Sequence, residues 1–114
     1  MTGYKLYKRV CSLLGYNDFG TNEDTKSGLF LSILNQICED LKIAEIKSLS
    51  DEIIFEAHKK EALIYGSAML FSASLNDSGC ADMYTSIYNS KRSKALSETD
   101  TRKDVLPKPL NGGV

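Results

Sequence analysis

Phe30-Leu31-Ser32-Ile33-Leu34-Asn35-Gln36-Ile37-Cys38-Glu39-Asp40-Leu41 is the stretch that decides the fold. Within it Phe30, Ile33, Leu34, Ile37, Cys38 and Leu41 recur at helical spacing. That lays one apolar stripe along an α-helix, whereas strand alternation would scatter the same residues over two faces. A helix with one apolar stripe needs other elements to cover it. Glu23 and Asp24 stand ahead of this helix or in its first turn, where carboxylates oppose the positive end of the dipole. Gly28 blurs where it begins.

Working outward, the N-terminal side supplies a partner. Leu6, Val10, Leu13 and Leu14 share a face of a helix over 3–14, with Thr2 as its cap. Gly15 stops it, because glycine takes the left-handed backbone at no steric cost, and Tyr16 follows as the hydrophobic closing contact. Residues 17–22 read as a loop of turn formers.

On the C-terminal side, residues 43–50 form a connection, and Ile53-Ile54-Phe55 is a run too short to assign, read as a short turn. A helix over 57–75 is apolar on most sides, from Ala62, Leu63, Ile64 and Tyr65 to Met69, Leu70 and Phe71. It belongs in the middle of a bundle, and Gly66, Ser67, Ser72 and Ser74 are small enough to let a neighbour approach closely. Asn76-Asp77-Ser78-Gly79 breaks the chain and caps a fourth helix over 80–96, with Tyr84, Ile87, Tyr88 and Ala95 facing inward. From Ser97 the apolar period stops, and Pro107, Pro109 and Asn111-Gly112-Gly113 cannot continue a helix. The expected architecture is all-α: a small bundle of four main helices over 1–97, followed by an extended C-terminal arm over 98–114.

The chain has 114 residues, enough for one core. No apolar run approaches the roughly 20 residues of a membrane span, and Lys5, Lys8 and Arg9 interrupt any secretory signal. Cys11, Cys38 and Cys80 are odd in number and far apart, which argues against a disulfide framework or a zinc site. They are expected to be buried thiols in a reducing compartment. His58, the one histidine, sits beside Lys59 and Lys60 and is expected at the surface. Glu39-Asp40 and Asp51-Glu52 are neighbours that point apart on a helix, so neither makes a carboxylate dyad. There is no phosphate-binding glycine loop and no nucleophile–base pair. No catalytic site, metal, cofactor or small-molecule substrate is expected.

Charge is uneven. Residues 1–90 hold 8 basic and 12 acidic side chains, and residues 91–114 hold 6 basic and 3 acidic ones. Lys91, Arg92 and Lys94 form a basic end of the fourth helix, suited to the dipole or to an acidic protein surface. The arm sets Val105, Leu106, Pro107 and Leu110 after Arg102 and Lys103. An apolar segment stiffened by proline has little ordering entropy left to lose, so it suits a docking peptide.

These features fall in a familiar order. Leu6-Tyr7-Lys8-Arg9-Val10-Cys11-Ser12-Leu13-Leu14-Gly15, Asn35-Gln36-Ile37, Ser48-Leu49-Ser50-Asp51-Glu52-Ile53, Glu61-Ala62-Leu63-Ile64-Tyr65-Gly66, Met83-Tyr84 with Tyr88-Asn89, and Asp104-Val105-Leu106-Pro107 together resemble the small head-to-tail connector proteins of tailed bacteriophages. The resemblance covers nearly the whole chain. It implies a helical subunit of a ring that binds the portal on one side and a tail-side adaptor on the other, with DNA only passing through the channel. Its expected location is the virion's head–tail junction, and the bacterial host cytoplasm during assembly. In such proteins the C-terminal arm grips the portal or a neighbouring subunit. The alternative is a small helical nucleic-acid-binding or regulatory module that uses Lys91, Arg92 and Lys94, a reading the acidic body disfavours.

Overall fold

A computed structural model describes residues 1–16 and 26–105, with side chains through residue 97. The chain forms four helices: α1 (Gly3–Leu14), α2 (Ser27–Leu41), α3 (Ala57–Ser74) and α4 (Ser78–Val105). The all-α bundle expected from the sequence is the observed architecture.

Local chemistry sets the helix ends. The Thr2 side chain accepts a hydrogen bond from the Lys5 amide, and Gly15 ends α1 at φ 78°. The Gly15 amide then donates to Ser12 O (3.2 Å) and the Tyr16 amide to Cys11 O (2.9 Å), satisfying two terminal carbonyls. Helix α2 closes with the same pair of bonds, but Lys42 occupies the left-handed position at φ 60°. Asp77 caps α4 by accepting from the Cys80 amide at 3.2 Å.

Helix α3 is central and packs against the other three. The α2 stripe of Phe30, Ile33, Leu34, Ile37, Cys38 and Leu41 is entirely buried. It meets Leu6, Tyr7, Val10 and Leu14 of α1 and Leu63, Ile64, Ala68 and Phe71 of α3 in one core. An aromatic knot ties three helices together: Tyr7 stacks on Phe30 at 4.5 Å between ring centres, and Phe71 stands edge-on to both, at 5.7 and 5.5 Å. The buried hydroxyls of Ser67 and Ser72 donate to carbonyls one turn back in α3, so neither is left unsatisfied.

Gly66 is where three helices converge. A Cβ there would lie 2.7 Å from the Tyr88 ring and 2.9 Å from Ile37 Cδ1. Close approach therefore requires the glycine, as its small size predicted. Ser74, by contrast, is exposed.

Three features differ from expectation. Residues 43–56 are an extended strap, and Ile53-Ile54-Phe55 belongs to it rather than to a turn. The strap lies along the start of α1. The Tyr4 amide donates to Leu49 O, the Gly3 amide to Asp51 O and the Ile53 amide to Met1 O, and Thr2 and Glu52 make an antiparallel bridge. Asn35 clamps the strap to α2, its amide nitrogen donating to Ile46 O (2.9 Å) and its oxygen accepting from the Ile46 amide (2.7 Å).

The second difference is the length of α4. It continues through Val105, past the Leu96 at which the apolar period ended it, so the backbone of residues 98–105 is helical rather than extended. Loss of apolar period does not by itself end a helix, and no glycine or proline follows Leu96 until Pro107. The described part of α4 ends at Val105, two residues ahead of that proline. The third concerns burial: Leu70, expected in the core, is half-buried, because it lies on the rim of α3. The expected loop over 17–22 lies outside the described residues, as do Glu23 and Asp24.

Candidate interaction surfaces

The packing defines two ends of the bundle. Tyr16, just after α1, donates its hydroxyl proton to Asp77 at 3.0 Å, which puts the α1 C-terminus beside the start of α4. Burial, then the Asp77 carboxylate, pushes the Tyr16 hydroxyl up to about 12. At the opposite end lie the N-terminus of α1, the strap, the C-terminus of α2, the start of α3 and the later turns of α4.

The basic end of α4 sits at that second end, and its charges are engaged within the chain. Arg92 Nε donates to Asp40 Oδ2 at 2.8 Å, and the Tyr88 hydroxyl donates to the same oxygen at 2.5 Å. The Tyr88 hydrogen bond, with Arg92 beside it, holds the Asp40 carboxyl below its ordinary range. Burial and the Asp40 carboxylate raise the Tyr88 hydroxyl far above the usual tyrosine value. Lys91 Nζ lies 3.2 Å from Glu61 Oε1 and 5.6 Å from the centre of the Tyr65 ring. Lys94 is exposed. Lys91 and Arg92, suited by sequence to the helix dipole or to an acidic protein surface, thus face Glu61 and Asp40 of their own chain. Asp40, which the sequence marks only as no part of a carboxylate dyad, has a structural role that no local spacing shows.

The arm residues divide. Arg102, Lys103 and Val105 lie on the last turns of α4, while Leu106, Pro107 and Leu110 lie outside the described residues. Tyr88 contacts Gly66 and Lys91 pairs with Glu61, so α4 runs antiparallel to α3 and passes its first residues near Ala95, which is buried. At about 1.5 Å per residue, the stretch from Leu96 to Val105 continues roughly 14 Å further.

The strap creates a surface that the sequence reading missed. Ala44, Glu45 and Ile46 face Asp51, Glu52, Ile53, Ile54 and Phe55 across an open hollow. Ile53 is buried, so strand alternation turns Ile54 outward, leaving it 82% exposed. Glu45, Asp51 and Glu52 give the rim a negative character, although the N-terminal amine pairs with Glu52 and holds its carboxyl low. Among the described residues, the backbone amides of Ala44, Glu45, Ile54 and Phe55 donate no backbone hydrogen bond. A second shallow depression, between Asn35, Cys38 and Glu39 of α2 and Ile43 and Glu45, adjoins it. Met83 (50% exposed), Leu29 and Leu13 are other large apolar residues at the surface. The legible signal was three apolar residues in a row just after a turn.

The remaining chemistry is structural. Cys11 and Cys38 are buried and Cys80 half-buried, all three as free thiols. Burial pushes the Cys38 thiol up to about 11. The expectation of three buried thiols thus fails at Cys80, whose position at the start of α4 leaves it partly open. His58 is half-buried rather than exposed, because the strap turns into α3 beside it. Among the described residues there is no cluster of three His, Cys, Asp or Glu placed to hold a metal ion. No described helix is long and apolar enough to cross a membrane. The chain matches no protein-family model, no curated protein and no solved structure.

Proposed function

We propose that the chain is a structural adaptor of a tailed-phage or prophage particle, a ring subunit placed between portal and tail so that DNA passes through the ring. The observation that carries this reading is a bundle whose last helix outruns its own core and leads into Leu106-Pro107-Lys108-Pro109-Leu110. An element that extends past its core and ends in a stiff apolar segment gains its burial from another molecule. The order of the resembling stretches along the chain supports the same assignment. A ring needs two different complementary faces on each subunit, and the acidic strap and the arm differ in the required way.

The reading of the chain as a nucleic-acid module has less support, because Arg92 and Lys91, on which it relies, already face Asp40 and Glu61.

The test is removal of residues 106–114. The truncated chain keeps its helical circular dichroism, because the core formed by the described residues is complete without them. It loses attachment to portal particles in co-sedimentation and fails to join heads to tails in an assembly extract. Undiminished joining by the truncated chain would overturn the proposal.

A further inference from the structure

We propose that the free edge of the strap at Glu52–Ile54 is a docking site for an extended segment of another protein, one that carries a lysine or arginine two residues from an apolar side chain.

Backbone direction defines the edge. The Ile53 amide donates to Met1 O and the Gly3 amide to Asp51 O, on either side of the antiparallel bridge between Thr2 and Glu52. Alternation along extended backbone then turns the amide and carbonyl of Glu52, and those of Ile54, to the opposite edge. Among the described residues these groups have no hydrogen-bond partner. An edge left open in this way is a template for an added strand, and the side chains beside it choose which strand.

Ile53 is buried, so Glu52 and Ile54 share the outward face, a carboxylate two residues from an isoleucine that is 82% exposed. A paired strand sets its own side chains opposite these two, where opposite charges and apolar pairs stabilise and like charges destabilise. The complement is therefore a cation facing Glu52 and an apolar side chain facing Ile54. The wider surroundings carry the same sign. The hollow beside the edge and the depression next to it are lined by Glu39, Glu45, Asp51 and Glu52 and by no lysine, arginine or histidine. Glu52 shares its charge with the N-terminal amine, whereas Glu45 has no ion-pair partner among the described residues. Charge also argues against a second copy as the occupant. The extended backbone that a second copy offers among the described residues is its own strap, and pairing two straps sets acid against acid.

The experiment is an NMR titration of the full-length, 15N-labelled chain with a capped heptapeptide. The peptide has valine at its centre, lysine two positions to either side and threonine elsewhere, so it fits the edge in either direction. The expected result is saturable shifts centred on the Glu52 and Ile54 amides, with their hydrogen exchange slowed in the complex. Ile54→Ala and Glu45→Lys, both at exposed positions, leave the circular dichroism unchanged and each weaken binding about tenfold, the scale of one lost anchor. A peptide with glutamate in place of lysine, and one N-methylated at every residue, do not bind. No saturable shift at roughly 1 mM peptide overturns the proposal. Equal binding by the N-methylated peptide means that charge rather than an added strand holds it, and overturns it as well. Glu52 and Ile54 amides already protected in the free chain, and exposed by dilution or by removal of residues 106–114, would give the edge to a second copy or to the chain's own C-terminal segment, against the proposal. The site stands apart from the adaptor reading, whose truncation assay leaves the strap unchanged.

Discussion

At the residue scale, two glycines in helices have opposite meanings. A Cβ at Gly66 would overlap the Tyr88 ring and Ile37, both packed and unable to move aside freely. Gly66→Ala therefore costs about 1–3 kcal/mol of overpacking against a helix-propensity gain of about 1 kcal/mol, and urea unfolding should show a net loss. Gly28→Ala meets nothing within 4 Å among the described residues and should raise stability, by up to about 1 kcal/mol. Equal effects of the two would contradict the convergence of α2, α3 and α4 at Gly66. Asp40 carries a pH signature. Its folded carboxyl titrates below the ordinary value, so its contribution is complete above about pH 4 and disappears as pH falls through the lowered value. The stability gap between the native chain and Asp40→Asn should therefore be widest at neutral pH and shrink in acid. A gap that widened in acid would mean that Tyr88 and Arg92 do not hold the carboxylate.

At the element scale, the legible parts were those written in apolar period. The α1 bounds, the α2 stripe and the central place of α3 follow from spacing, because burial selects for it. The strap was not legible. Its order comes from Asn35 reaching Ile46 and from amides bonding to Leu49, Asp51 and Met1, all between residues distant in sequence. The end of α4 was misjudged because polarity and helix-breaking are different properties, and only Pro107 supplies the second. Leu70 shows the limit of periodicity on a helix that is apolar nearly all round, since spacing cannot rank its faces. Leu34→Ala, at a fully buried site, should cost about 2–5 kcal/mol, and half-buried Leu70→Ala distinctly less. Chemical denaturation of the two variants side by side checks this, and the reverse order would mean that the rim of α3 is misplaced.

At the scale of the whole molecule, charge has to be judged after folding. The sequence sets a basic end against an acidic body, and the basic end taken by itself suits a phosphate surface or an acidic protein surface. Folding brings Asp40 from α2 and Glu61 from α3 against Arg92 and Lys91, leaving Lys94 exposed. Cations already paired with carboxylates have fewer counterions to release when phosphate approaches, and the carboxylates repel it. Any binding of duplex DNA should accordingly be weak. Its dependence on salt should change little in Lys91→Ala/Arg92→Ala, whereas two cations that contact phosphate would lower the log–log slope by roughly 2 when removed. Fluorescence anisotropy of a labelled duplex over a salt series measures that slope directly. A drop of that size would return the basic end of α4 to the role of a nucleic-acid surface, and a flat result leaves the two ion pairs as braces that set α4 against α2 and α3.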